Sequence, residues 1–249
     1  MRIAGAVRVA AAVAACGVLL TSCGSSDDGA GAGANKGDAG KEQAKGAEAS
    51  PTTNLKRIPD VGDGLQSKIP KDSRQVVAVY GEGEDSAKST VVLYTKPKSG
   101  STWDKTRSWA AHNGKKGWTT DHRENDKRSP VGVFTLTDAG GVLTDPGAKF
   151  PYTKSASMQA PHYWSKSHWH DFDYVIAIDY NRAKGTPPND PTRPQGQSKG
   201  GSIWLHMDHG SGTSGCVSLS KPGMEYLLKN LDPKQHPVVV MGDKTNLKV

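Results

Sequence analysis

Apolar residues along the chain gather in short runs that alternate with polar, turn-forming stretches. Gln75 to Tyr80, Thr90 to Tyr94, Val131 to Leu136, Tyr174 to Tyr180, Ser202 to Leu205 and Pro237 to Met241 are each rich in Val, Ile, Tyr or Leu. Gly, Pro, Asp and Ser separate them, which is the pattern of strands and turns. The intervening sequence lacks the strand and helix alternation that builds a parallel sheet. The spacing therefore predicts a mainly β domain, a twisted sandwich or barrel with a few short helices. One helix is well marked: Pro222 sits in its first turn after Ser220, and Met224, Leu227, Leu228 and Leu231 fall at helical spacing. Asp232-Pro233 ends it. A weaker helix is predicted over Thr102 to Ala111, with Trp103 or Trp109 turned to the core. No internal repeat is visible.

The beginning of the chain follows another pattern. Arg2 and Arg8 supply positive charge, and Ile3 to Leu20 is dominated by Ala, Val and Leu, as in a secretion signal. The run is short for a membrane span and ends in Leu20-Thr21-Ser22-Cys23, small residues before a cysteine. This predicts a lipoprotein signal over residues 1–22, with Cys23 as the lipidated first residue of the mature protein. A transmembrane anchor or a plain secretory peptide are the other readings of the same run. Residues 24–54 are Gly, Ala, Ser, Asp, Lys and Glu with little large and apolar, so burial cannot offset the entropy of ordering them; together with Cys23 they read as a tether, residues 23–54. Residues 55–249 hold all six Trp and all seven Tyr and have the size of one domain. The expected location is the outer face of the cell membrane, held there through the lipid.

Charge refines this only slightly. The net charge of +7 falls to +5 if Arg2 and Arg8 leave with a signal, a mild basicity. In an exported protein it suits an anionic cell envelope, and no nucleic-acid partner is expected. Cysteine usage says more. Cys16 falls within the signal and Cys23 takes the lipid, so Cys216 remains alone, either a buried apolar residue or a thiol kept for chemistry.

Its surroundings favour chemistry. In Ser202-Ile-Trp-Leu-His206-Met-Asp-His209-Gly-Ser-Gly-Thr213-Ser214-Gly215-Cys216-Val-Ser-Leu219, a short apolar strand delivers a histidine and a Gly/Ser-rich loop delivers the cysteine. A thiol attacks only as thiolate, and a neighbouring imidazole can take its proton. His206, at the end of a strand, is better directed for that than His209, which the loop can leave facing solvent. Gly215 permits a close turn that exposes the amides around Ser214 to Cys216, a possible oxyanion site. Trp204 shares a strand face with His206 and could wall the site or simply pack in the core. Trp164, His168, Trp169 and His170 could line a cleft or pack in a surface loop.

The stretch from His206 to Leu219, with Ser-Gly-Cys followed by Val, resembles the signature of YkuD-type L,D-transpeptidase catalytic domains. Ser129-Pro-Val-Gly-Val-Phe134-Thr-Leu136 is similar to their Thr/Ser-Pro-x-Gly-x-Phe segment, and Val175-Ile-Ala-Ile-Asp179-Tyr-Asn181 to the strand before their active-site region. The resemblance spans about Val76 to Met241. It implies Cys216 as nucleophile, His206 as proton donor and acceptor, and Ser214 with Gly215 as the oxyanion loop; Thr213, His209, Trp204 and Trp169 are candidates for the cleft. The implied substrates are peptidoglycan stem peptides, cleaved between the L-centre of a diamino acid and D-Ala through a thioester. Carbapenem β-lactams should acylate the same thiol. No metal or organic cofactor is expected. The sequence departs from the best-known motif at Ser214, where the family has His, and at Ser218, where it has Arg or Asn. Two rival readings are a zinc-dependent peptidase or amidase using His168, His170, His206, Asp208 and His209, and a wall-binding lipoprotein without catalysis.

Overall fold

The structure, a computed structural model, describes residues 52–249. The expected signal at 1–22, the lipid-bearing Cys23 and the tether up to residue 51 lie outside the described residues. Among the described residues no helix is long and apolar enough to cross a membrane.

The chain is mainly β. The strands are β1 (Gln75–Gly81), β2 (Lys88–Thr95), β3 (Asp104–His112), β4 (Trp118–Thr119), β5 (Ser129–Pro130), β6 (Gly132–Gly141), β7 (Tyr152–Lys154), β8 (Val175–Ile178), β9 (Trp204–Met207), β10 (Val217–Leu219) and β11 (Val238–Asp243), with helices α1 (Asp63–Gln66) and α2 (Lys221–Asn230). The main sheet runs β11-β1-β2-β3-β10-β9-β8-β6-β7, and β11 also pairs with β6. That last pairing closes an eight-strand ring and leaves β7 outside it, so barrel rather than sandwich describes the domain. Closure removes the exposed edges that an open sheet would carry.

Alternation along each strand assigns its two faces. Val77, Val79, Leu93, Leu136, Ile176, Leu205, Val217 and Val239 join the apolar stripe of α2 (Met224, Leu227, Leu228, Leu231) in the main core. Their neighbours face the other way: Val76, Ala78, Val92 and Val240 pack under Ile58, Val61, Leu65 and Trp103. Val175, Ala177 and Trp204 form a smaller cluster with Phe172 and Cys216. By the same parity His206 and Ser218 stand with Trp204 and Cys216, on the side away from the main core.

Two expectations are corrected. Thr102 to Ala111 does not form a helix. Residues 104–112 form β3, paired along its length with β2 with a shift in register at Leu93/Tyr94. The segment has no continuous helical apolar stripe, and the ladder offered by β2 outweighs its local preference. The sheet is also mixed, because β1 pairs with β11, β9 with β10 and β6 with β7 in parallel. The β9–β10 connection is only residues 208–216. Since a parallel partner must start at the same end as its neighbour, this loop has to run back across one face of the sheet. That return carries His209 and Cys216.

The expected helix after Ser220 is present. The Ser220 side chain accepts from the Gly223 amide, Pro222 lies in the first turn, and Leu231 is the C-cap.

Candidate active site

The register of β9 on β10 sets Val217 opposite Leu205 and Ser218 opposite His206. Cys216, one residue earlier, reaches the backbone of the strand beside it. Its Sγ donates to the Ser202 carbonyl at 3.3 Å and accepts the Trp204 amide at 3.4 Å. A cavity of about 360 Å³ opens on this face, lined by Cys216, His206, His209, Thr213, Ser214 and Gly212 from the β9–β10 region, by Trp164, His168 and Phe172 from the β7–β8 connection, and by Lys115. Thiol and imidazole thus share one cavity; among the described residues no hydrogen bond joins them.

His206 is 2 % exposed, and its Nδ1 lies 2.8 Å from the Met207 carbonyl. A carbonyl only accepts, so Nδ1 carries the proton and Nε2 holds the lone pair of the neutral ring. Phe172 packs edge-on against both His206 and Trp204 and limits the tilt of the imidazole. Burial lowers the His206 pKa, outweighing the Asp171 carboxylate and the Met207 carbonyl, which act the other way. Burial pushes the Cys216 thiol up to about 12, partly offset by the Trp204 amide. The resting pair is therefore a neutral thiol and a neutral imidazole.

The loop before the thiol is held from several directions. Thr213 Oγ1 donates to the Cys216 carbonyl at 2.6 Å and accepts the Gly215 amide at 3.1 Å. Ser129 Oγ donates to the Gly215 carbonyl at 2.7 Å and accepts the Gly114 amide at 2.9 Å. The Ser129-Pro-Val-Gly-Val-Phe segment therefore braces the cysteine loop. Gly215 has φ +148, and a Cβ there would lie 3.0 Å from the Arg128 carbonyl oxygen and 3.3 Å from Ile203. Gly215→Ala is expected to cost about 1–3 kcal/mol of stability and to slow any reaction of Cys216 at least about tenfold. Thermal unfolding and the rate of thiol acylation check the two effects separately.

Below Cys216, Ser218 Oγ donates to Asp208 Oδ1 at 2.7 Å, and His112 Nδ1 lies 2.8 Å from the same oxygen. Burial pushes Asp208 upward, but hydrogen bonds from Ser218 and His112 more than offset it and hold the carboxyl below its usual range. Ser218, standing where the best-known motif has Arg or Asn, thus ties β10 to the start of the loop.

Other expectations change. His209 does not face solvent: its side chain is 3 % exposed and its Nδ1 is 3.0 Å from Asp171 Oδ2, because the loop returns across the sheet and turns the ring inward. Asp171 raises the His209 pKa despite burial. Of the two readings of Trp204, its burial favours packing: it is 8 % exposed, with its indole N–H donating to the Pro188 carbonyl at 3.2 Å. Trp169 is absent from the cavity lining; it stacks on His162 and donates to the Trp164 carbonyl. The rival zinc set is not assembled. His170 is 75 % exposed beside Asp173, and Asp208 is engaged with His112 and Ser218. Lys115, Phe172 and Asp171 were missed: no motif marks Lys115, while Phe172 and Asp171 directly follow the aromatic and histidine cluster.

A thiol at the end of the β9–β10 connection and a buried imidazole on β9 of a closed mixed sheet, facing one cavity, define the class of site. The family model for the YkuD L,D-transpeptidase catalytic domain matches residues 73–240, and the chain belongs to that family. No curated protein and no solved structure matches it. The matched range runs from just before β1 into the first half of β11 and contains every residue that lines the cavity.

Proposed function

We propose that the protein is a cysteine L,D-transpeptidase that works on peptidoglycan stem peptides from the outer face of the cell membrane, anchored there through a lipid on Cys23. The family makes it an L,D-transpeptidase-like cell-wall protein. The observation that carries the finer reading is the meeting of Cys216 and His206 in one cavity, with the lone pair of His206 on Nε2. The lipid anchor rests on the sequence of residues 1–23 alone.

In this mechanism Cys216 Sγ attacks the carbonyl of the bond between the diamino acid L-centre and D-Ala, and the thiol proton passes to His206 Nε2 as the C–S bond forms. The oxyanion is held by amides of the 214–216 loop. The Gly215 amide is engaged with Thr213, so the Ser214 and Cys216 amides carry this role. As the intermediate collapses, the C–N bond breaks and His206 returns the proton to the departing amine, leaving a thioester. A second amine then attacks, giving up its proton to His206, and the thiol is released with its hydrogen restored; water in place of the amine gives trimming. Lys115 supplies positive charge for the carboxylates of a stem peptide.

The test is intact mass measurement after incubation with a carbapenem. Wild type is expected to gain one adduct, Cys216→Ala none, and His206→Ala the adduct at a reduced rate. An adduct that persists in Cys216→Ala, or its absence from wild type, refutes the cysteine reading.

A further inference from the structure

The cavity beside Cys216 is also walled by two imidazoles that share one carboxylate. His168 Nδ1 and His209 Nδ1 each lie 3.0 Å from the same atom, Asp171 Oδ2, and the two ring centroids are 4.0 Å apart. His168 makes a hydrogen bond to Asp171. His209 touches the same oxygen as an ion-pair contact, while both of its ring nitrogens are buried without a hydrogen-bond partner. A buried polar atom left unpaired loses its hydration with nothing in return.

We propose that His168, Asp171 and His209 form a binding site for a divalent cation of the zinc class, with its remaining position open to the cavity. One ligand atom from each residue lies within 4.8 Å of the others. Zinc binds such ligands at about 2.0–2.1 Å in a tetrahedron, which sets ligand atoms roughly 3.3 Å apart. The two 3.0 Å separations to Asp171 therefore need to open by only a few tenths of an ångström, and the third, between the imidazole nitrogens, lies within 4.8 Å. Two imidazoles and one carboxylate suit zinc, whereas magnesium and calcium prefer oxygen alone. His168 is 31 % exposed, which gives the ion an entry path, and Asp171 is buried, which fixes its carboxylate. This set differs from the rival one in the sequence: Asp171 takes part, while His170, His206 and Asp208 do not. His206, with its ring centroid 6.4 Å from that of His209, keeps its own role. A cation held here presents a positive centre to whatever occupies the cavity, and a carboxylate of that occupant, or water, completes the coordination.

Zinc alone is the probe, titrated into the purified chain against a chromophoric zinc indicator, so the result does not depend on whether Cys216 transfers acyl groups. Wild type is expected to bind one ion. His209→Ala and Asp171→Asn are each expected to weaken binding about tenfold or more. His168→Gln, at a partly exposed position that spares the fold, should weaken it similarly and abolish the rise in Tm that zinc gives wild type. Cys216→Ser should change affinity less than about threefold. The site is overturned if wild type shows no saturable binding, if binding survives in both His168→Gln and His209→Ala, or if it is lost in Cys216→Ser while the histidine variants keep it.

Discussion

Replacing Cys216 by alanine is expected to lower turnover of a stem peptide by about 10⁴- to 10⁶-fold, the range seen when a covalent nucleophile is removed. Cys216→Ser should fare little better, because a hydroxyl is still harder to deprotonate than this thiol. Burial has already pushed Cys216 up to about 12, so at neutral pH the thiolate is a minor species. The thiol is protected at rest and reacts only when attack and proton transfer proceed together. Its two resting partners fit this behaviour. The Ser202 carbonyl holds the S–H, and the Trp204 amide is ready to stabilise sulfur as charge develops. Rates of amide release and of cross-linked product measure the effect. Turnover in Cys216→Ala within tenfold of wild type would remove the thiol from the mechanism.

His206→Gln is expected to reduce kcat by about 10²- to 10⁴-fold with a smaller change in KM. Glutamine can still donate to the Met207 carbonyl, so loop position is preserved while the proton acceptor is gone. A purely structural role for His206 predicts the opposite split, with unfolding or a raised KM and little loss of kcat. The pH profile gives a second readout. Because burial lowers the His206 pKa from its ordinary value of about 6.5, the ring stays neutral and competent at pH 6.5. The acid limb of kcat/KM should therefore fall below that pH. An acid limb centred at or above 6.5 would show that the imidazole is not held neutral by burial.

The same burial links pH to stability. The unfolded chain binds protons at His206 and His122 that the folded chain refuses, since burial lowers both. Their contribution is fully present above about pH 6.5 and is lost as pH falls below it toward the folded values. Urea unfolding of wild type and His206→Gln between pH 7.5 and 5 should show a shallower decline in the variant.

Much of this protein was legible in its sequence because the information is local. A short unbroken run of β-forming apolar residues bounded by turn residues, as in Val76 to Val79 or Val238 to Met241, marks a strand whatever its partner, and Pro222, Met224, Leu227 and Leu228 mark a helix by their own spacing. The pairing of a lone cysteine with His206 was visible for a similar reason: both lie on one short stretch, and strand parity directs each side chain. What the tertiary structure alone decided is non-local. Thr102 to Ala111 became a strand because β2 offered it a ladder, and closure of the barrel through β6 and β11 joins segments some hundred residues apart that carry no mutual signal. His209 turned inward because the parallel pairing of β9 and β10 forces residues 208–216 back across the sheet. Ser129 became a brace for Gly215, and Asp171 came to lie between His168 and His209, through contacts that exist only once the strands are assembled.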